Sequence, residues 1–115
     1  MSEQETALNS ELQGTESGTF LYLLHEESVW DEHAYRLFAE KCFAFLECFS
    51  ESEKRTDHSD ILRLLADRLA YISLSVFSHC SGSDLFVISN WSERTEAQLV
   101  PAFFDDCRDM ISKMF

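Results

Sequence analysis

Residues that interrupt helices are scarce in this 115-residue chain, which has one proline and three glycines. So few helix breakers favour long helices over a turn-rich all-β fold. The sequence also contains no GxGxxG, Walker A or GxSxG motif, and three glycines hardly suffice to build a loop that cradles a phosphate. The scarcity therefore predicts a mainly α protein and disfavours several common classes of enzyme.

Export and membrane signals are missing as well. The first 14 residues have neither a basic region nor an apolar segment, so no secretory signal is expected there. No apolar run approaches the roughly 18 residues that a bilayer-spanning helix needs. The four cysteines, without an export signal, are expected to stay reduced, and the absence of any CxxC pair excludes a structural zinc site of the usual spacing. We therefore expect a cytoplasmic protein that holds no metal.

Arrangements of catalytic side chains are also lacking. His25 begins a zincin-like sequence, but Val29 occupies the position of the second histidine. His79 and Cys80 are adjacent, and neighbouring side chains on a helix point about 100° apart, so they do not form a base–nucleophile pair. We accordingly expect neither an enzyme nor a cofactor.

Acidic side chains, by contrast, are abundant. The chain has 21 acidic and nine basic residues, and its net charge is −12. A field of this sign repels phosphate backbones and anionic membranes and attracts basic proteins. Residues 1–32 hold eight acids and no lysine or arginine, whereas Asp105 and Asp106 are typical of an exposed helix face. The charge predicts a basic protein partner, with no direct binding of nucleic acid or membrane.

The first half of the chain predicts a tail followed by one long helix. Residues 1–19 are acidic and polar, which predicts a flexible, disordered tail ahead of a single helical domain over 20–115. The apolar run 20–24 is too short for periodicity to distinguish a strand from a helix. Ser28 resembles an N-cap, and the narrow polar stripe that follows predicts a helix over about 29–49, apolar around most of its girth.

The second half predicts two further helices. Apolar residues keep one helical phase over about 57–78, although the alternation over 71–77 and the apolar run 85–88 permit a β-hairpin instead. Ser92 is a candidate cap for a last helix, with a kink or a restart at Pro101. The expected fold is a compact bundle of about three principal helices, with a short hairpin or strand near 20–24 and 85–88 as the alternative.

The functional hypothesis that fits this composition is a small inhibitor or immunity protein, similar in role to an antitoxin. It would neutralise a basic protein, such as a nuclease toxin, by covering the cationic active site. The predicted contact residues lie around the start of the first long helix: Glu26, Glu27, Trp30, Asp31 and Glu32.

Two alternatives use other features of the sequence. A homodimeric helical adaptor would bury the apolar half of the first helix through Phe43, Phe45 and Phe49. A DNA mimic would instead present carboxylates spaced like phosphates, but lysine and arginine interrupt the acids throughout residues 36–68.

Overall fold

Five α-helices make up the part of the chain that the computed structural model describes, residues 3–47, 59–81 and 87–114, and no strand occurs there. The helices are α1 (Glu3–Gln13), α2 (Phe20–Glu27), α3 (Glu32–Leu46), α4 (Ser59–Cys80) and α5 (Glu93–Met114). A mainly α fold is thereby confirmed, whereas the expectation of about three principal helices is wrong. A strand over 20–24 and a hairpin beginning at 71 are also wrong, because these residues belong to α2 and α4; residues 85 and 86 lie outside the described residues.

The prediction of a disordered N-terminal tail is wrong for residues 3–13, because they form α1 and pack against α2, α3 and α4. Leu8 and Leu12 are completely buried in these contacts. The Arg68 Nε–H of α4 donates to the Leu12 carbonyl at 2.8 Å and so satisfies a group that the end of α1 leaves free. An 11-residue helix is marginal by itself, so α1 owes its stability to this packing.

The connection between α2 and α3 is made by one left-handed residue and one capping carboxylate. Ser28, with φ 54°, ends α2. Asp31 then begins α3, since its Oδ1 accepts the Ala34 backbone N–H at 2.9 Å. The predicted cap at Ser28 is therefore wrong by three residues, and α3 ends at Leu46 rather than near residue 49, which lies outside the described residues.

Aromatic side chains form the centre of the core around Phe20. Its ring lies 4.8 Å from the ring of Trp30, 5.1 Å from Tyr35 and 5.5 Å from Phe38, measured between centroids. The Asn90 side chain holds the Trp30 backbone from outside, because Oδ1 accepts its N–H at 2.9 Å and Nδ2 donates to its carbonyl at 2.8 Å. These contacts join α2, α3 and the segment before α5 into one core.

The two longest helices follow the sequence expectation most closely. Residues 59–80 form α4, which confirms the helical reading of the alternating segment. Ser92 caps α5, since its Oγ accepts the Thr95 backbone N–H at 3.2 Å. α5 continues through Pro101 without a second helix starting there. None of the described helices has the length and apolar character needed to cross a membrane.

Candidate functional site

Of the five predicted contact residues, Trp30 is buried in the core and Glu32 lines the groove described below. Trp30 is only 3% exposed and belongs to the core, which removes it from any direct contact with a partner. The Asp31 carboxylate caps α3. Glu26 and Glu27 are exposed at the end of α2, away from the groove described below. Glu32 alone joins that groove, where one of its oxygens also accepts the Trp30 indole N–H at 3.1 Å.

A groove of about 570 Å³ lies between α3 and α5, and four of its ten lining residues are acidic. We call it the acidic groove. Its lining residues are Glu32, Tyr35, Arg36, Ala39, Glu40, Phe43, Ala44, Glu47, Ala102 and Asp106.

Helical periodicity explains why α3 supplies most of the charge. Glu32, Arg36, Glu40 and Glu47 are four, four and seven residues apart, and these spacings place all four on one face of a helix. Asp106 of α5 completes the lining, so four carboxylates face one guanidinium and the groove carries a net charge of −3.

The two cations beside the acidic groove leave most of this charge exposed. Arg36 Nε lies 3.5 Å from Glu32 Oε1, and Lys113 Nζ lies 3.8 Å from Glu47 Oε1 at the far end. Exposed pairs at such distances contribute little to stability. The Glu40 and Glu47 side chains remain on the surface, where a cationic group of a partner can reach them.

One carboxylate of the groove is held in place by a buried phenol. The Tyr35 hydroxyl donates to Asp106 Oδ2 at 2.7 Å. Burial, together with the negative charge of Asp106, raises the pKa of Tyr35, so its hydroxyl stays protonated and continues to donate. Asp106 therefore has a fixed position at which it accepts one hydrogen bond from inside the protein and presents its other oxygen for further bonds.

The predicted dimer face on the apolar half of α3 is buried in part. Phe45 is completely buried, because α1 and α5 both pack against α3. Phe43 is partly buried and forms part of the floor of the acidic groove. Phe49 lies outside the described residues. A second copy cannot contact Phe45 unless the core opens.

The adjacent residues His79 and Cys80 are arranged for a structural role and not as a base–nucleophile pair. His79 Nδ1 accepts the Ile88 backbone N–H at 2.9 Å, and its Nε2 bonds to the Glu96 carboxylate, so the ring joins the end of α4 to α5. Burial and the negative charge of Glu96 raise the pKa of the Cys80 thiol, whereas a nucleophilic cysteine needs a lowered one. In the described ranges, no group of three or more His, Cys, Asp or Glu residues is arranged to hold a metal ion.

Sequence reasoning missed the main part of the acidic groove: Glu40, Glu47 and Asp106. The stripe on α3 was visible as a periodic polar pattern, but it is equally typical of an ordinary solvated helix face. Asp106 is 59 residues beyond Glu47, and only the packing of α5 against α3 brings the two helices together. The spacing of the glutamates could have indicated one charged face on α3, but nothing in the sequence indicated that Asp106 lies beside that face.

No protein-family model, curated protein or solved structure matches this chain. The functional argument therefore depends on the geometry and charge of its own residues.

Proposed function

We propose that this protein is a cytoplasmic inhibitor of the immunity-protein type, which neutralises a basic protein such as a nuclease toxin by covering its cationic active-site surface. The observation that supports the proposal is the acidic groove, in which two packed helices bring four carboxylates to one concave surface. Enzymes that act on nucleic acid need a positive surface to hold the phosphates, and such a surface complements this groove.

The placement of these carboxylates on two packed helices favours specific binding over loose attraction. Its carboxylates project from α3 and α5, and the Tyr35 hydrogen bond holds Asp106 in place. Preorganised charges cost little to order when a partner binds, and complementary potentials raise the rate of association. The side chains of Ala39, Phe43 and Ala102 form apolar surface between the acids, so a partner can also bury apolar atoms there.

Charge reversal in the groove tests the proposal. The probes are purified small basic nucleases of the source cell and its competitors, and the readout is inhibition of nucleic-acid cleavage by the full chain. We expect the Glu40→Lys, Glu47→Lys double variant to bind the inhibited nuclease at least ~10-fold more weakly, mainly through slower association. Added salt should weaken wild-type binding, because it screens the attraction.

A matched double variant separates the groove from the total charge. Glu16→Lys with Glu93→Lys changes the net charge by the same amount at exposed positions outside the groove and outside the predicted contact residues. We expect it to inhibit nearly as well as wild type. The proposal is wrong if the chain inhibits none of these nucleases, or if the outside variant loses as much affinity as the groove variant.

A further inference from the structure

A second groove lies between α2 and α4, beside the end of α1, and adjoins an uncharged stretch of α4. Residues 69–83 contain no Asp, Glu, Lys or Arg. Within this stretch Leu74 is 66% exposed and Phe77 is 67% exposed. They are one helical turn apart and follow Ala70 on the same outward face of α4. Exposed apolar side chains on one uncharged face are typical of a contact surface.

The concave part of this surface has a volume of about 530 Å³, and we call it the α2–α4 groove. Its walls include Leu21, His25, Ala70, Tyr71 and Leu74. The polar atoms of the wall already have partners, because His25 Nδ1 and the Tyr71 hydroxyl are 3.1 Å apart. The wall therefore suits an apolar occupant.

The charged residues of the α2–α4 groove neutralise each other. Asp67 and Arg68 both line one end, and Arg68 donates to the Asp67 carboxylate at 2.8 Å. Arg68 is also committed to the Leu12 carbonyl. Two opposite charges so close together offer little attraction to an ionic ligand.

The exposed Phe77 side chain and the α2–α4 groove lie on the same side of α4, and their spacing along the helix suits self-association. Phe77 follows Leu74 by three residues, and Tyr71 precedes it by three. If two copies pair their α4 helices antiparallel about a two-fold axis near Leu74, Phe77 of each copy faces Tyr71 and Ala70 of the other. Each Phe77 then enters the α2–α4 groove of the opposite copy. A two-fold interface requires this kind of self-complementary patch.

The charge distribution favours a second copy as the occupant. Each chain carries a net charge of −12, so two copies repel each other wherever their acids meet. The stretch over residues 69–81 contains no Asp or Glu, so a contact there brings few acids of the two copies together. We expect a contact limited to this groove and two exposed side chains to be small, and interfaces below about 1,200 Å² in total correspond to weak and reversible dimers.

We propose that this protein self-associates through the α2–α4 groove, with Phe77 of each copy inserted into the groove of the other. The inference is independent of the proposed inhibitor function, because the two use different surfaces. They also have opposite salt dependence: screening weakens attraction to a basic partner but relieves repulsion between two acidic copies.

Sedimentation equilibrium of the full chain, from low to high micromolar concentration at low and moderate salt, tests the proposal. We expect a monomer–dimer equilibrium that moderate salt strengthens, and a dimer at least ~10-fold weaker for Phe77→Ser. Ile111→Ser is the matched control, since Ile111 is 45% exposed and no residue of its helix, α5, lines the α2–α4 groove. A wild-type chain that stays monomeric throughout overturns the proposal and leaves the face to a different partner, as does a dimer that Phe77→Ser leaves unchanged.

Cross-linking locates the axis independently of stability. The background for this test is Cys48→Ser with Cys80→Ser, since Cys80 is the exposed thiol among the described cysteines and Cys48 lies outside the described residues. In this background Leu74→Cys places a thiol near the two-fold axis. Mild oxidation should convert most of this variant to covalent dimer, while Ile111→Cys and the background itself should yield little. Equal dimer yields at positions 74 and 111 would contradict the assigned axis.

Discussion

The acidic groove and the α2–α4 groove have almost the same volume, about 570 Å³ and 530 Å³, and nearly opposite electrostatics. Four carboxylates and one guanidinium line the first, which gives −3, whereas Asp67 and Arg68 line the second and cancel. The acidic groove is therefore bordered by charged, strongly hydrated side chains. The α2–α4 groove adjoins two large apolar side chains, Leu74 and Phe77, that are mostly exposed.

This difference teaches that the net charge of the chain is not a property of any one site. A total of −12 is compatible with a surface segment that has no charge at all. The acids give one groove a long-range attraction for cations, and their absence from the other makes close approach of a second acidic chain possible. The two proposed contacts are consequences of the same uneven distribution.

Removing Phe20 breaks the comparison most severely, because it disturbs the core behind both grooves. Phe20 contacts Tyr35, which lines the acidic groove, and its neighbour Leu21 lines the α2–α4 groove. We expect Phe20→Ala to lower the free energy of unfolding by about 3–5 kcal/mol, through lost burial and the cavity left behind. Urea unfolding followed by circular dichroism measures the change. Phe104→Ala, at a position 42% exposed, should cost well under half as much.

Alkaline pH should destabilise the core beneath the acidic groove. Burial raises the pKa of Tyr35 and of Cys42, with the charges of Asp106 and Glu11 adding to the effect. The folded state therefore keeps protons that the unfolded chain loses above about pH 8.5 for Cys and 10 for Tyr. Stability is fully present below these values and falls as pH rises, by about 1.4 kcal/mol per pH unit for each group.

Single substitutions show how much of the stability lost at alkaline pH comes from Tyr35 and how much from Cys42. Denaturant unfolding from neutral pH to pH ~11 should give a flatter pH dependence for Tyr35→Phe and for Cys42→Ala, because each variant lacks one of the two ionisations. Tyrosinate absorbance provides a second readout. If Tyr35 ionised in the folded protein near pH 10, its burial against Asp106 would be incorrect.

Two matched tyrosine substitutions give the smallest and sharpest comparison of the grooves. Tyr35 is 6% exposed and donates to Asp106, whereas the Tyr71 hydroxyl pairs with the exposed His25. We expect Tyr35→Phe to cost about 1–1.5 kcal/mol at neutral pH, since a buried bond to a charged group is lost, and Tyr71→Phe to cost less than about 0.5 kcal/mol. Equal costs by urea unfolding would show that the two hydroxyls are equally solvated and contradict the structure.

Local patterns were sufficient for α4 and α5. The apolar positions of α4 hold one helical phase, and Ser92 is a good N-cap, so the prediction of a helix over about 57–78 and the predicted start of α5 agree with the structure. The run at 20–24 was ambiguous because five apolar residues fit a strand and a helix equally well. Ser28 was misassigned because serine at a helix start and a left-handed serine at a helix end look alike in sequence.

α1 and the acidic groove could not be predicted locally. Leu8 and Leu12 are too few to indicate a buried helix, and their burial depends on surfaces that α2, α3 and α4 provide together. The groove has the same cause, since Asp106 reaches α3 only through the packing of α5. Trp30 is one of the predicted contact residues, since tryptophan is frequent among interface hot spots, but its ring packs against Phe20 in the core.

The sequence by itself determined the helical class, the strong negative charge and the uncharged stretch over 69–83, because these follow from composition and from periodicity within one segment. Tertiary structure alone decided which acids share a groove, where Trp30 and Phe45 lie, and that the uncharged stretch leaves Leu74 and Phe77 exposed beside a cavity. Each of these depends on contacts between residues far apart in the chain, and the free energy of such contacts is absent from any local pattern.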